Sequence, residues 1–421
     1  MMPLKNLLYL LQLEEYDLKR FNEWLQRYPN RIVSEKKSHL NWTPKARILF
    51  ALSNIFNILT FGKSTKSALK TAVYIFSPID LLSKKILVHR AKIKRNKIPN
   101  LTVIGITGSY GKTTTKDALT HILNHKYPTL KTEGNYNTLL GIAKNIIQDL
   151  RQEHEIFVCE IAAYQPGDIK AIAEIIKPKI GIITAIGPMH FERFGSMENI
   201  LKTKLELIEM LPPDGVGFLP KELGSQILGY FHNSLPAGDL SKRDNYGSKN
   251  SIKFFSSKED LLIKVGEIFG LTQDEILGRL KTMPPTPHRQ EIIKASGNIT
   301  IIDDTYNSNP AGFMIALETL KNIKAKRKIL VTPGMIELGK KQSELNKEAA
   351  KAAAKIADYV IIVGETNKFA LEEGLKEEIK NDFEKKVFWT PNLDSAKKKL
   401  SEITLPNSAI LLENDLPDHY F

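Results

Sequence analysis

A single cysteine, Cys159, is all the thiol chemistry in 421 residues. That excludes a disulfide scaffold and a cysteine-based metal cluster, and it suits a reducing cytoplasm. Long apolar runs are missing too. ILFALSNIFNILTF (48–61) and ALKTAVYIFSPIDLL (68–82) both fall short of the ~20 residues that span a bilayer, and each contains Asn, Ser, Thr or Lys. The chain does not open on a signal peptide, because Lys5 is followed by an amphipathic rather than a purely apolar segment. Acidic residues are scarce at one end only. Residues 1–100 hold 19 Lys and Arg against 6 Asp and Glu, whereas residues 101–421 hold 41 of each. The formal charge of +13 therefore sits wholly in the first quarter. Its aromatic residues are not interleaved with the charges as a single-stranded nucleic-acid platform requires, so nucleic acid is not an expected partner. Two readings of this basic quarter stand: a pair of interfacial helices on an anionic membrane surface, or a small helical domain with a basic exterior.

What is present describes a folded enzyme of several domains. Hydrophobic residues make up 42% and charged residues 25%, and the length exceeds one ordinary core. The most informative stretch is VIGITGSYGKTTTK (103–116), an apolar run that ends in glycines at positions 105, 108 and 111 and then Gly-Lys-Thr-Thr. Gly108, Ser109, Tyr110 and Gly111 turn the backbone so that N–H groups face phosphate oxygens. Lys112 supplies a point charge for the β- and γ-phosphates, the Thr113 hydroxyl can ligate Mg²⁺, and Thr114 continues the loop into a helix that starts at the anion. The strict Walker pattern asks for Gly at position 106, which is Ile here.

Strands are expected at 101–105, 156–160, 179–184 and 215–219, and helices at 113–126, 138–151, 167–176 and 197–211. This is an α/β pattern with a mainly parallel sheet. A second alternation has strands at 299–303, 328–332 and 358–363, and Pro284, Pro285 and Pro287 mark the boundary. The expected organisation is a helical basic region over 1–98, a P-loop ATPase domain over 99–286 and a Rossmann-like α/β domain over 287–421. Ligands of such sheets bind beyond the carboxyl ends of the strands, where polar residues recur. Glu160 ends the apolar run IFVCE, and His190 follows IGIITAIG; with Thr113 they could hold Mg²⁺ between phosphates and an acceptor. The competing readings are a helix-capping Glu and a structural His.

These segments resemble the Mur ligases. ITGSYGKTTTK, TEGNYNTLLG (132–141), EIAAYQPGDI (160–169), the stretch from His190 to Glu206, PHRQE (287–291) and DDTYNSNPAGF (303–313) occur in that family's order. DDTYNSNP and the run Gly334 to Gly339 most resemble the MurF type, which adds D-alanyl-D-alanine to a UDP-muramoyl tripeptide. The resemblance implies an ATP- and Mg²⁺-dependent acid–amino acid ligase of peptidoglycan precursor synthesis that works through an acyl phosphate, as a cytoplasmic monomer on small-molecule substrates. It implies Lys112 at the terminal phosphates and Thr113, Glu160 and His190 around Mg²⁺. Asn137 would stand on the γ-phosphate side, and Lys204 would be carbamylated to hold a second Mg²⁺. Arg289 and Asp304 would reach back to the γ-phosphate and to the ribose or Mg²⁺. Without the resemblance, Lys204 in LKTKLE reads as an ordinary surface lysine. The chain departs from the family in lacking a His-Asn-x-x-Asn motif near the adenine and in ending on ILLENDLPDHYF (410–421), without the Lys-Gly-Ser of the MurF type. Its first hundred residues are unlike the usual UDP-binding domain. Competing readings are therefore a related ligase acting on another or a lipid-linked substrate at the inner membrane face, and a degenerate nucleotide-binding paralogue without ligase activity.

Overall fold

The computed structural model describes residues 2–61, 64–134, 136–189, 191–224 and 251–420. The chain forms two compact units, Met1–Ile86 with Asp415–Phe421, and Leu87–Asn414.

The first unit is helical. Helix α1 (Leu4–Leu13) buries five successive residues, Leu7 to Leu11, because an element apolar on all sides must sit in a core. Helix α2 (Leu18–Arg27) is capped by Asp17, which accepts from the Lys19 and Arg20 amides, and α3 (Pro44–Leu59) by Thr43, with Pro44 at the first helical position. Phe21, Trp24, Leu49, Leu69 and Phe76 complete the core. Helix α4 (Thr65–Asn96) runs through Pro78, which forgoes one backbone hydrogen bond. Asp80 ties α4 to α3 by accepting from Lys45 at 2.8 Å, with Lys84 at 2.9 Å.

The last residues of the chain, Asp415–Phe421, belong to this unit. Asp418 accepts from Tyr9 Oη at 2.7 Å and from the Lys36 and Lys37 amides at 2.8 and 3.0 Å, while Trp24 Nε1 donates to the His419 carbonyl at 2.9 Å. Burial raises the Asp418 carboxyl, but these donors outweigh it and hold the group below the usual carboxylate range.

Among the described residues no helix is long and apolar enough to cross a membrane. Both apolar runs nevertheless leave large side chains in solvent. Ile55, Ile58 and Phe61 at the end of α3 are 52%, 76% and 93% exposed, and Ile75, Ile79 and Leu82 on α4 are 52%, 61% and 60% exposed. The α4 residues recur at spacings of four and three and so share one helical face.

The second unit holds two six-stranded sheets. The first is parallel throughout, in the order β2 (Thr129–Lys131), β3 (Ile156–Glu160), β1 (Thr102–Thr107), β4 (Ile180–Ile183), β5 (Val216–Pro220) and β6 (Ser251–Phe255). Both faces are covered, and the strand period of two decides what each residue meets. Val103, Phe157 and Cys159 pack on one face with α6 (Leu139–Asp149) and α7 (Asp168–Ile176). Ile104, Ile106 and Val158 pack on the other with α5 (Lys112–Leu123) and the helix Lys258–Ile268. Burial raises the Cys159 thiol, so it stays protonated and inert.

The second sheet has the order β11 (Val387–Thr390), β10 (Tyr359–Val363), β9 (Arg327–Thr332), β12 (Ser408–Glu413), β8 (Ile299–Asp304) and β7 (Glu291–Ala295), with only β7 antiparallel. The expected α/β class is borne out. Of the five strands that the sequence reading did not single out, β2, β6, β7, β11 and β12, three have local causes. β2 has three residues and β11 four, and β7 is an exposed edge strand with little apolar contrast.

Candidate active site

β1 lies at the switch point of the first sheet, with β3 on one side and β4 on the other. The chain leaves it through Gly108 (φ 145°) and Gly111 (φ 79°) into α5. A Cβ at Gly108 would stand 2.1 Å from Thr184 Oγ1, so only glycine fits. Ser109 is fixed from both sides: its hydroxyl donates to the Gly187 carbonyl and accepts from the Gly187 amide, each at 2.9 Å. Thr184 Oγ1 donates to the Tyr110 carbonyl, so these two loop residues hold the cradle's shape. Lys112 Nζ donates to the Gly108 carbonyl at 2.8 Å.

A cavity of about 480 Å³ opens over this loop. One wall is Ser109 to Thr115 with Thr184, Phe255, Lys258 and Leu261; the other is Arg289, Gln290, Asp304, Asn307, Asn309, Ile315 and Glu413. Six of the expected phosphate-loop positions, Ser109 to Thr114, thus share one cavity with Arg289 and Asp304 of the second sheet. Arg289 stacks 4.0 Å over the Tyr306 ring, and its Nε is buried without a hydrogen-bond partner among the described residues. The paired aspartates of DDTYNSNP separate by strand alternation. Asp303 accepts from His288 Nδ1 at 2.7 Å and from Thr305 Oγ1 at 2.6 Å, whereas Asp304 faces the cavity. Asn309 caps helix α12 (Pro310–Asn322), accepting from Gly312 N at 3.0 Å.

Beside the loop, Glu160 is 3% exposed at the end of β3. Asn137 Nδ2 donates to its Oε1 at 3.3 Å. Lys116 Nζ lies 3.3 Å from Oε2, within ion-pair range but not aligned as a donor, so among the described residues this oxygen has no hydrogen-bond partner. A buried carboxylate oxygen open to a further partner is a hard oxygen donor of the kind that fits Mg²⁺.

Lys204, on α9 (Met197–Glu209), is 5% exposed and is therefore not the surface lysine of the local reading. Burial first, and Lys112 second, lower its amine to about 7, against Asp168 and Glu206. Burial also lowers Lys112 to about 8, with Glu160 opposing and Arg289 assisting. Lys112 thus feels Glu160 and Arg289, and Lys204 in turn feels Lys112. His190 lies outside the described residues.

Two charged residues escaped the sequence reading. Lys116 sits one helical turn beyond Lys112 and is 2% exposed. Glu413 ends the apolar run SAILLE as Glu160 ends IFVCE, and the same strand-end signal would have found it.

The chain matches the Mur ligase middle domain over residues 106–272 and the Mur ligase glutamate ligase domain over residues 288–413. The UDP-N-acetylmuramoyl-tripeptide–D-alanyl-D-alanine ligase of Bacillus subtilis is 31% identical over 299 residues, which cover 65% of this chain and 65% of that protein. The corresponding ligase of Escherichia coli is 24% identical over 76% of this chain and 79% of its own. The chain therefore spans just under two thirds of the Bacillus relative. Among solved structures, a MurF ligase from Thermotoga maritima in complex with ADP has a TM-score of 0.67 at 24% identity, covering 79% of this chain and 80% of that one. MurF from Acinetobacter baumannii reaches 0.66 at 23%, covering 79% and 77%. At these identities the structural likeness speaks for the fold. With both domains matched in order across the residues that build the cavity, this chain belongs to the Mur ligase family.

Proposed function

We propose that the protein is an ATP- and Mg²⁺-dependent ligase that joins a carboxylate to an amine through an acyl phosphate, adding D-alanyl-D-alanine to a UDP-muramoyl tripeptide in peptidoglycan precursor synthesis. The observation that carries this reading is the shared cavity, in which the phosphate loop faces Arg289 and Asp304 of the second sheet. Lys112 and the loop amides bind the terminal phosphates, and Arg289 neutralises charge on the transferring phosphoryl group from the opposite side. Thr113, Glu160 and a carbamylated Lys204 would hold Mg²⁺, with His190 as a further ligand by resemblance; the ion supplies charge neutralisation between phosphates and acceptor. Asn137 keeps Glu160 oriented. The amine then attacks the acyl phosphate, and the residues' contribution is mainly positioning. Functionally we divide the chain into residues 1–98, 99–286 and 287–421, although the last seven residues pack in the first unit. Mass spectrometry of products, after incubation with ATP, Mg²⁺, UDP-muramoyl tripeptide and a panel of amino acids and dipeptides, tests the reading: a tripeptide product extended by D-alanyl-D-alanine supports it. Absence of any amide product from every amine would favour a nucleotide-binding paralogue.

A second reading concerns the place of the reaction. We infer that the enzyme works in the cytoplasm, peripherally on the inner membrane face, with residues 1–98 as its contact. Exposed Ile55, Ile58, Phe61, Ile75, Ile79 and Leu82 beside a strongly basic surface suit an anionic bilayer, into which apolar side chains dip while Lys and Arg meet headgroups. The full chain should co-sediment with vesicles containing anionic lipid, more weakly as salt shortens the Debye length from ~10 Å at 0.1 M. Ile79→Glu combined with Leu82→Glu, at exposed positions that leave the core intact, should abolish sedimentation. Wild-type protein that stays in the supernatant would leave residues 1–98 as a helical substrate domain.

A further inference from the structure

Two carboxyl groups meet at the carboxyl ends of β8 and β12. Asp304 and Glu413 are register partners on these adjacent parallel strands, and both line the cavity with Lys112 and Arg289. Strand spacing alone sets their backbones about 5 Å apart, with side chains on one face. Glu413 is 1% exposed. Ser308 Oγ donates to its Oε1, and among the described residues Oε2 has no hydrogen-bond partner. Burial, and then Asp304, push the Glu413 carboxyl well above the usual carboxylate range. Burial likewise pushes Asp304 up to about 6, although Arg289 opposes it.

Ionised, the pair would set a donorless buried oxygen next to a like charge, a cost that the raised carboxyls avoid by holding a proton and that a ligand supplying positive charge and donors would also remove. The chemistry of that ligand can be narrowed. A neutral hydroxyl would satisfy Oε2 but leave the repulsion between the two carboxyls in place. A divalent ion would need several more oxygen ligands than these two carboxyls supply. A primary ammonium brings one positive charge and three N–H donors, enough for Oε2 and for Asp304 together.

We propose that Glu413, with Asp304 beside it, receives the primary ammonium group of the acyl acceptor and so fixes which end of that molecule faces the phosphate loop. The proposal rests on the ligase reading, because it names the acceptor site of that reaction. Its test separates the two. Full-length protein loaded with ADP is titrated calorimetrically with D-alanyl-D-alanine, D-alanine, glycine and L-lysine, each beside its N-acetylated counterpart. At least one free amine should bind wild-type protein, and its N-acetylated form should not. Glu413→Gln keeps the shape and an acceptor for Ser308 but presents an amide N–H₂ to the amine. It should weaken amine binding about tenfold or more, the scale of one charge-assisted contact, while ADP affinity stays within about twofold. The N-acetyl comparison uses wild-type protein only and so does not depend on the variant folding. Glu413-dependent amine binding by a protein that forms no amide would remove the ligase reading and leave this site standing. No binding of any free amine, equal binding of the N-acetylated forms, unchanged affinity in Glu413→Gln, or an equal loss for ADP would overturn the proposal.

Discussion

Lys112→Ala should reduce ligation by more than a hundredfold while leaving the protein folded. The lysine is a partly buried side chain at the start of α5 whose one hydrogen bond is to the Gly108 carbonyl, and Glu160, whose charge it feels, keeps Lys116 at 3.3 Å, so its truncation removes little packing and leaves no carboxylate without a cation. In the proposed reaction it acts at the phosphates, where a charge-assisted contact in a largely enclosed site would be worth about 3 kcal/mol or more in the transition state. The check is ligation and phosphate release measured beside a thermal melt. Activity within about tenfold of wild type would remove this lysine from the phosphoryl chemistry. An unaltered melt with lost activity is the expected pair of results.

Lys204→Ala should also abolish turnover, and short carboxylic acids should restore part of it. Carbamylation requires the neutral amine. An ordinary lysine near 10.4 is almost wholly protonated at pH 7, whereas burial and Lys112 lower Lys204 to about 7 and so bring its neutral form within reach. The direction of the pH dependence follows. As pH falls through about 7 the amine takes up a proton, the carbamate becomes harder to form, and activity should drop. Added bicarbonate should offset that drop in wild-type protein and do nothing for Lys204→Ala. If the group lost with Lys204 is a carbamate able to hold a metal, acetate or formate in its place should rescue the variant. A folded variant that neither acid rescues, together with wild-type activity indifferent to bicarbonate, would return Lys204 to a purely structural role.

How far these roles could be read beforehand depends on how local the physics is. The phosphate loop was legible because its chemistry is contiguous: Gly108, Gly111, Lys112 and Thr113 act through backbone turn and helix start within six residues. Glu160 was legible because a carboxylate closing an apolar strand is costly without a partner. The partner itself was not, since Lys116 reaches it only once α5 lies against β3. Lys204 shows the same limit. Its neighbours in LKTKLE give no sign that α9 turns this one lysine inward, where Lys112 shapes its amine. Asp303 and Asp304 look alike in sequence, and only the register of β8 sends one to His288 and the other to the cavity. Glu413 lies far along the chain from its neighbour Asp304 and joins it only through the pairing of β12 with β8. The tail is further out of reach: nothing near Asp418 announces the Tyr9 hydroxyl and the Lys36 and Lys37 amides that hold it.

The central claim is that ATP activates a carboxylate by phosphorylation before the amide forms. Its most direct test uses UDP-muramoyl tripeptide labelled with ¹⁸O in its terminal carboxyl groups, incubated with the full-length protein, ATP, Mg²⁺ and D-alanyl-D-alanine. An acyl phosphate leaves one carboxyl oxygen on the phosphate when the amine displaces it, so the account predicts inorganic phosphate carrying a single ¹⁸O for each amide formed. Phosphate released without label, at a rate indifferent to the amine, would mean that water and not the carboxylate attacks the nucleotide, and would contradict it.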